Sequence, residues 1–329
     1  MKTKRSSYVL ATVCLAALLI VSMFVAGCTS NGTTTSTAAT PATSTQADTA
    51  ATQVALLATT AAPATTAVPT TVAQKQTITV TGSTTVLPIA QAAADAYMKL
   101  HPEANIQISG GGSGVGIQSI GAKTVDIGMS SRDVTKAELA KYPSFNIVTV
   151  AHDGIAVIVN PQNTIQYITL DQVNQIYTGK ITKWTQITGA EVPNTNNQIV
   201  LIGRDSSSGT RSYFDETVLK SATPVKTMLE QNSNGAVAQS VAQTPGAIGY
   251  VSIGFVSSDV KALPIWYNAN KIISPSISTV KDKTYPVSRD LYMITNGQPT
   301  GLTKDYLDYI LSADGQKIVA AQGYVPLTS

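Results

Sequence analysis

Val200-Leu-Ile-Gly-Arg-Asp-Ser-Ser-Ser-Gly-Thr-Arg-Ser-Tyr-Phe214 runs from three apolar residues through a polar loop into an amphipathic stretch. Val200 to Ile202 reads as a strand, and Tyr213, Phe214, Thr217 and Val218 recur at helical spacing. The loop between them therefore ends at a helix N-terminus. Such an end leaves backbone amides unpaired and carries partial positive charge. Glycine lets a ligand approach the backbone, and Ser and Thr hydroxyls add donors. Arg204 can meet an oxyanion with two parallel hydrogen bonds. A hydroxyl residue in this place also serves as an ordinary N-cap.

The same strand-to-helix passage occurs three more times. Ile78 to Val80 is a short alternating strand, followed by Gly82-Ser-Thr-Thr85 and a helix that runs to about His101. Ile89, Ala93, Ala96, Tyr97 and Leu100 set its period, and Pro88 fits its first turn, where no amide hydrogen is needed. Ile106 to Ile108 is a strand before Gly110-Gly-Gly-Ser-Gly-Val-Gly116, and a short helix follows from Ile117 to Lys123. Val125 to Gly128 is a third strand and ends in Met129-Ser-Ser-Arg132. Ile147 to Val150 and Ile155 to Val159 read as two further strands. The alternation argues for α/β layers. Any one of the four polar segments is explained by capping alone. Four of them, each after a strand, point to one shared anion site.

Other readings of the glycines fail. Val115 stands where G-x-G-x-x-G and G-x-S-x-G each need a glycine, and no G-x-x-x-x-G-K-[ST] occurs. His101 and His152 are the only histidines, with no metal-ligating cluster around them. No nucleophile with its base is legible, so the chain reads as a binder rather than an enzyme, with no cofactor and no metal.

Only 12% of residues are charged. Lys2, Lys4 and Arg5 account for the whole formal charge of +3, and the chain without residues 1–27 is close to neutral. A nucleic-acid binder normally shows a basic face, so that class is set aside. The same three cations precede an apolar run from Val9 to Val25, short for a membrane span, and then Val25-Ala-Gly-Cys28. This is a lipoprotein leader pattern, with Cys28 as the lipid-bearing residue and residues 1–27 removed. Residues 28–75, rich in Thr and Ala, cannot bury a core and read as a tether of roughly 40 Å reach. Cys28 is then the one remaining cysteine, so no disulfide forms within a chain.

From residue 76 onward the sequence resembles the PstS family, the substrate-binding proteins of ABC-type phosphate importers. The resemblance rests on Gly82-Ser-Thr-Thr-Val-Leu-Pro88, Ser109-Gly-Gly-Gly-Ser-Gly114 and Asp126-Ile-Gly-Met-Ser-Ser-Arg132. It continues through Asp153-Gly-Ile-Ala-Val157, Thr178-Gly-Lys-Ile-Thr-Lys-Trp184, Arg204 with Ser208-Gly-Thr-Arg211, Pro245-Gly-Ala-Ile-Gly-Tyr250 and Tyr285-Pro-Val-Ser-Arg289. It implies a two-lobed α/β fold of the periplasmic-binding-protein type (type II), with the ligand in the cleft. Lobe one is then 76–157 with 284–329, and lobe two is 158–283.

The family positions carry phosphate binding to Thr84, Thr85, Ser113 and Ser131 from lobe one and to Arg204, Ser208, Gly209 and Thr210 from lobe two. Where well-known members place an acid that accepts the phosphate proton, this chain has Ser131, followed by Arg132, which with Asp205 and Arg211 is expected in a supporting role. Asp153 is the candidate replacement, and a turn-capping hinge residue is the equal alternative. Asp126 and Asp205 are weaker candidates. Asp205 is expected to orient Arg204 or Arg211, and Arg211 either binds the anion or pairs with Asp205. The resemblance further implies an extracytoplasmic, lipid-anchored monomer that delivers inorganic phosphate to permease transmembrane subunits. Another oxyanion such as sulfate or molybdate, or an adhesin on the same fold, are the rival functions.

Overall fold

The computed structural model describes residues 75–268 and 271–327. The expected leader, the lipid-bearing Cys28 and the tether up to residue 74 lie outside the described residues. The elements begin with β1 (Gln76–Gly82), α1 (Leu87–Leu100), β2 (Ala104–Ser109), α2 (Ser113–Gly121), β3 (Ile127–Ser130) and α3 (Lys136–Lys141). Next come β4 (Phe145–Val159), α4 (Leu170–Tyr177), β5 (Val200–Arg204), α5 (Gly209–Thr217), β6 (Leu229–Gln231), α6 (Asn234–Gln243) and β7 (Ala247–Ser252). The chain closes with β8 (Lys261–Ala262), β9 (Ile265–Tyr267), β10 (Lys271–Ile273), α7 (Ile277–Lys281), β11 (Ser288–Asn296), α8 (Gly301–Leu311) and α9 (Ala313–Ala321).

The helical period of the first helix is real. Pro88 sits in its first turn, and Ile89, Ala90, Ala93, Ala94 and Tyr97 form its buried face. Leu100, expected on that face, instead ends the helix exposed. The main sheet runs β2-β1-β3-β11-β4-β7-β5-β6, with β8 added beside β4. At one end β1 is parallel to β2 and β3, and at the other β5 is parallel to β6 and β7. Between them β11 and β4 run antiparallel to each other, and β4 to β7.

Two large apolar cores lie along this sheet. The first gathers Ile78, Val80, Ile89, Ala93, Leu291, Met293, Tyr306 and Ile310. The second gathers Val157, Ile176, Trp184, Phe214, Val241, Ile248 and Tyr250. Strand β4 serves both. Val150 and Ala151 pack in the first core, and every residue from Ile155 to Val159 packs in the second.

The two strands read at 147–150 and 155–159 are therefore one. The polar interval Ala151-His-Asp-Gly154 interrupts the apolar pattern without breaking the ladder. Leu291, Asp290, Arg289 and Ser288 of β11 pair with these four residues in register, and the register shifts only beyond Leu291, where Val150 is the extra residue of β4. Strand β4 thus passes from one core to the other without a turn, and residues 152–154 lie at the crossing.

In the second core the indole of Trp184 donates to the Gly246 carbonyl (3.0 Å). Phe214 stacks on Tyr250 at 3.9 Å between ring centroids. The Tyr250 hydroxyl accepts from the Arg204 amide at 3.2 Å, so this stack holds the end of β5 in place. Among the described residues no helix is long and apolar enough to cross a membrane.

Candidate functional site

Strand ends β1, β2, β3 and β5 deliver their polar loops to the crossing. Ser208 is both a cap and part of the site. It precedes α5, and its hydroxyl oxygen accepts from the Arg211 amide at 3.1 Å, which leaves its proton free to donate. Among the described residues the Gly209 and Thr210 amides have no acceptor. They form the open positive end of the α5 dipole.

The two halves meet at this helix end. The Gly114 amide donates to the Ser207 carbonyl and the Ser207 hydroxyl to the Gly111 carbonyl, each at 2.9 Å. The Thr85 and Thr210 hydroxyl oxygens are 3.1 Å apart. The approach depends on glycine. A Cβ on Gly112 would stand 2.6 Å from the Ser207 carbonyl oxygen, and one on Gly209 would stand 2.1 Å from Ser113 Oγ and 2.9 Å from Ser131 Oγ.

Thr84, Thr85, Ser113, Ser131, Arg204, Ser208, Gly209 and Thr210 are all buried at this junction. Ser131 donates its amide to Ser113 Oγ (2.9 Å), and the two hydroxyls lie 3.3 Å apart. Arg204 is 1% exposed. Its Nε donates to the Gln231 carbonyl and its Nη2 to the Asn232 carbonyl, both at 3.1 Å. Among the described residues its Nη1 has no acceptor. Burial pushes this guanidinium below its ordinary pKa, an effect that nearby Asp205 opposes, and an arginine so placed remains a cation.

Three expectations about charged neighbours are corrected. Asp205 orients neither arginine, because its carboxylate accepts from the Ser207 amide and shares the Ser207 hydroxyl proton with the Gly111 carbonyl, which stabilises the loop. Arg211 pairs with Asp215 on its own helix and with Glu230, and it donates to the Arg204 carbonyl. Arg132 points away from the junction and forks onto Glu138 at 2.8 and 2.9 Å. That fork holds the Glu138 carboxyl at about 2 in place of its ordinary 4.5. Glu138 in turn completes the capping box of α3 with Thr135. Each of these charges found a partner close in space, so none is left for an anion.

Asp153 also has a different role. It is fully buried, and its register partner across the ladder is Arg289. Oδ2 accepts from Arg289 Nε (3.0 Å) and Nη2 (2.8 Å), and Oδ1 accepts from the Ser252 hydroxyl (2.7 Å). Burial raises its pKa, and Arg289 and Ser252 oppose that rise. A carboxylate with both oxygens engaged is a counter-ion, not an open acceptor for a ligand proton. Asp126 is likewise occupied, accepting from the amide and hydroxyl of Thr79.

Two residues of the junction were given no role on sequence grounds. Arg289 Nη1 donates to the Ser131 carbonyl (2.9 Å), and its Nη2 reaches Thr85 Oγ1 (3.3 Å) and Thr210 Oγ1 (3.1 Å). Asn234 Nδ2 donates to Thr84 Oγ1 (3.2 Å) and Thr85 Oγ1 (2.9 Å). Their signals were present. Arg289 ends a motif already singled out, and Ser233-Asn-Gly235 is one more polar turn before a helix.

Among the buried groups of the junction the two guanidiniums outnumber the one carboxylate, with half-buried Asp205 beside Arg204 at its edge. Around it stand hydroxyls from both halves and two helix-end amides. Among the described residues no group of three or more His, Cys, Asp or Glu side chains is placed to hold a metal ion. Two α/β halves joined by crossing strands, with convergent donors at their junction, define a binding protein of the two-lobed periplasmic class.

The comparisons agree with that class. A family model described as a PBP superfamily domain matches residues 29–314. The phosphate-binding protein PstS of Bacillus subtilis is 36% identical over 253 residues, covering 76% of this chain and 81% of the relative. A solved structure of a putative phosphate ABC transporter substrate-binding protein with bound phosphate, from Clostridium perfringens, is 31% identical. Its TM-score is 0.71, and the match covers 77% of this chain and all of that one. An ABC-type phosphate transport receptor from Vibrio cholerae is 30% identical with a TM-score of 0.61, over 75% and 99% of the two chains. The chain belongs to the PstS family.

Proposed function

We infer that this protein binds inorganic phosphate and delivers it to an ABC-type permease for import. The observation that carries the reading is the junction itself. The Gly209 and Thr210 amides, Arg204 and the hydroxyls of Thr84, Thr85, Ser113, Ser131 and Ser208 converge in one buried place. Such a set of donors suits a tetrahedral oxyanion. We take 76–157 with 284–329 as lobe one and 158–283 as lobe two, moving about β4 and the segment before β11. The protein holds its ligand without converting it and acts as a monomer.

Titration calorimetry with phosphate and with sulfate tests the reading. Saturable one-to-one phosphate binding is expected, with sulfate weaker. Absence of phosphate binding by folded protein overturns it, and tighter sulfate binding replaces phosphate with the rival anion.

The leader pattern supports an extracytoplasmic location, with Cys28 carrying lipid and residues 28–75 as tether to the membrane. Cys28→Ser is then expected to move the protein from the membrane to the soluble fraction. Retention of that variant on membranes after a high-salt wash contradicts the anchor.

A further inference from the structure

Five buried side chains close a circuit of hydrogen bonds through the crossing. Arg289 Nη2 donates to Asp153 Oδ2 (2.8 Å), and the Ser252 hydroxyl donates to Asp153 Oδ1 (2.7 Å). The Ser252 amide donates to Asn234 Oδ1 (3.2 Å), and Asn234 Nδ2 donates to Thr85 Oγ1 (2.9 Å). Arg289 Nη2, 3.3 Å from the same Thr85 oxygen, completes the ring. Thr85, Asp153, Ser252 and Asn234 are at most 1% exposed, and Arg289 is 6% exposed.

The ring is built across the two halves. Thr85 lies between β1 and α1, Asn234 begins α6, and Ser252 ends β7. Asp153 and Arg289 face each other on β4 and β11 where the sheet passes between the cores. Separation of the halves has to break the link from Asn234 to Thr84 and Thr85.

Counting lone pairs gives the ring a chemical consequence. A hydroxyl oxygen has two acceptor sites and one proton. Asn234 fills one site of Thr85, and Arg289 Nη2, which gives one of its two protons to Asp153, shares the other between Thr85 and Thr210. The Thr85 and Thr210 hydroxyl oxygens are 3.1 Å apart, and either one donates to the other or to a ligand. Thr210 also accepts from Arg289 Nη2. The contact between the two hydroxyls uses only one of their two protons, so in either arrangement at least one is directed to the ligand.

We propose that Asn234, together with Arg289 held by Asp153, is a positioning latch: it forms as the halves meet and holds the Thr85 and Thr210 hydroxyls where they donate to the bound anion. Asn234 does not itself need to touch the ligand. The latch rests on the phosphate-binding reading above. It also explains why Asp153 lies at the crossing without serving as an acceptor for the ligand proton. Its charge keeps the Arg289 fork aimed at two hydroxyls, one from each half.

Asn234→Asp tests it in the full protein, with inorganic phosphate as the probe. The change is nearly isosteric, but an acceptor replaces the donor facing Thr84 and Thr85. The Thr85 proton is drawn away from the anion, and a negative charge is added beside it. Phosphate affinity is expected to fall by about 100-fold or more at pH 8, in line with the cost of an unmatched charge near a bound one. Most of the loss should appear as faster dissociation. As pH falls and the new carboxyl takes up a proton, it donates to Thr85 again. The ratio of variant to wild-type affinity should then rise, a recovery that a purely structural defect does not produce. Asn234→Ala provides the neutral control, expected about tenfold weaker than wild type, with a wild-type pH profile.

If wild type binds phosphate and both variants match it within twofold at each pH, the latch is wrong. A loss in Asn234→Asp that stays constant with pH also overturns it. If Asn234→Asp does not fold, wild-type affinity in Asn234→Ala alone is enough to reject it. Failure of wild type to bind phosphate rejects instead the reading on which the latch rests.

Discussion

Replacing Arg204 with alanine is expected to lower phosphate affinity by a few orders of magnitude while leaving the protein folded. Its guanidinium is buried and anchored by the Gln231 and Asn232 carbonyls, with Nη1 left to face a ligand. Truncating one side of a buried charge-assisted contact costs about 2–5 kcal/mol. The backbone of β5 is held independently, through the Tyr250 hydroxyl and the ladders to β6 and β7. Arg204→Lys keeps the charge but cannot bond two carbonyls and a ligand with one planar fork, so it should recover only part of the loss. Titration calorimetry reads the affinity, and a thermal melt without phosphate reads the fold. An alanine variant that melts like wild type and binds within threefold of it removes Arg204 from the site.

Gly209→Ala should separate folding from binding in the opposite sense. Gly209 opens α5, and alanine is a better helix former than glycine. The unliganded variant should therefore be as stable as wild type or slightly more so. In the closed arrangement, however, the new methyl would stand 2.1 Å from Ser113 Oγ and 2.8 Å from Ser113 Cβ. Overpacking of this kind costs about 1–3 kcal/mol, which appears here as an affinity loss of about 5- to 150-fold. Small-angle scattering should show less compaction on adding phosphate than in wild type. Wild-type affinity with full compaction would mean that the α5 turn does not set the closing distance.

Much of the architecture was legible because it is local. The period of the first helix, the alternation of β1 and the hand-over at Ser208 each follow from residues within a few positions of one another. At Ser208 the cap leaves a donor, because one lone pair serves the helix while the proton stays free. The failures were of another kind. The polar interval 151–154 looked like a gap between strands, because its reason for staying extended is a partner strand more than a hundred residues further on. Asp205 was assigned to Arg204 by adjacency, yet neighbours in a loop point apart, and Ser207 was the partner in reach.

From the sequence alone came the α/β layering, the four strand-to-helix turns rich in donors, and the near-neutral charge that makes any anion site a local one. These depend on periodicity and on chemistry that each short segment carries by itself. The tertiary structure alone decided which charges are free. Asp153 meets Arg289, Arg132 meets Glu138, and Arg211 meets Asp215 and Glu230, while Nη1 of Arg204 keeps no acceptor among the described residues. Ion pairing is set by strand register and by the meeting of distant loops. The same carboxylate can be a ligand's acceptor or an arginine's counter-ion, according to which group the fold brings within 3 Å of it.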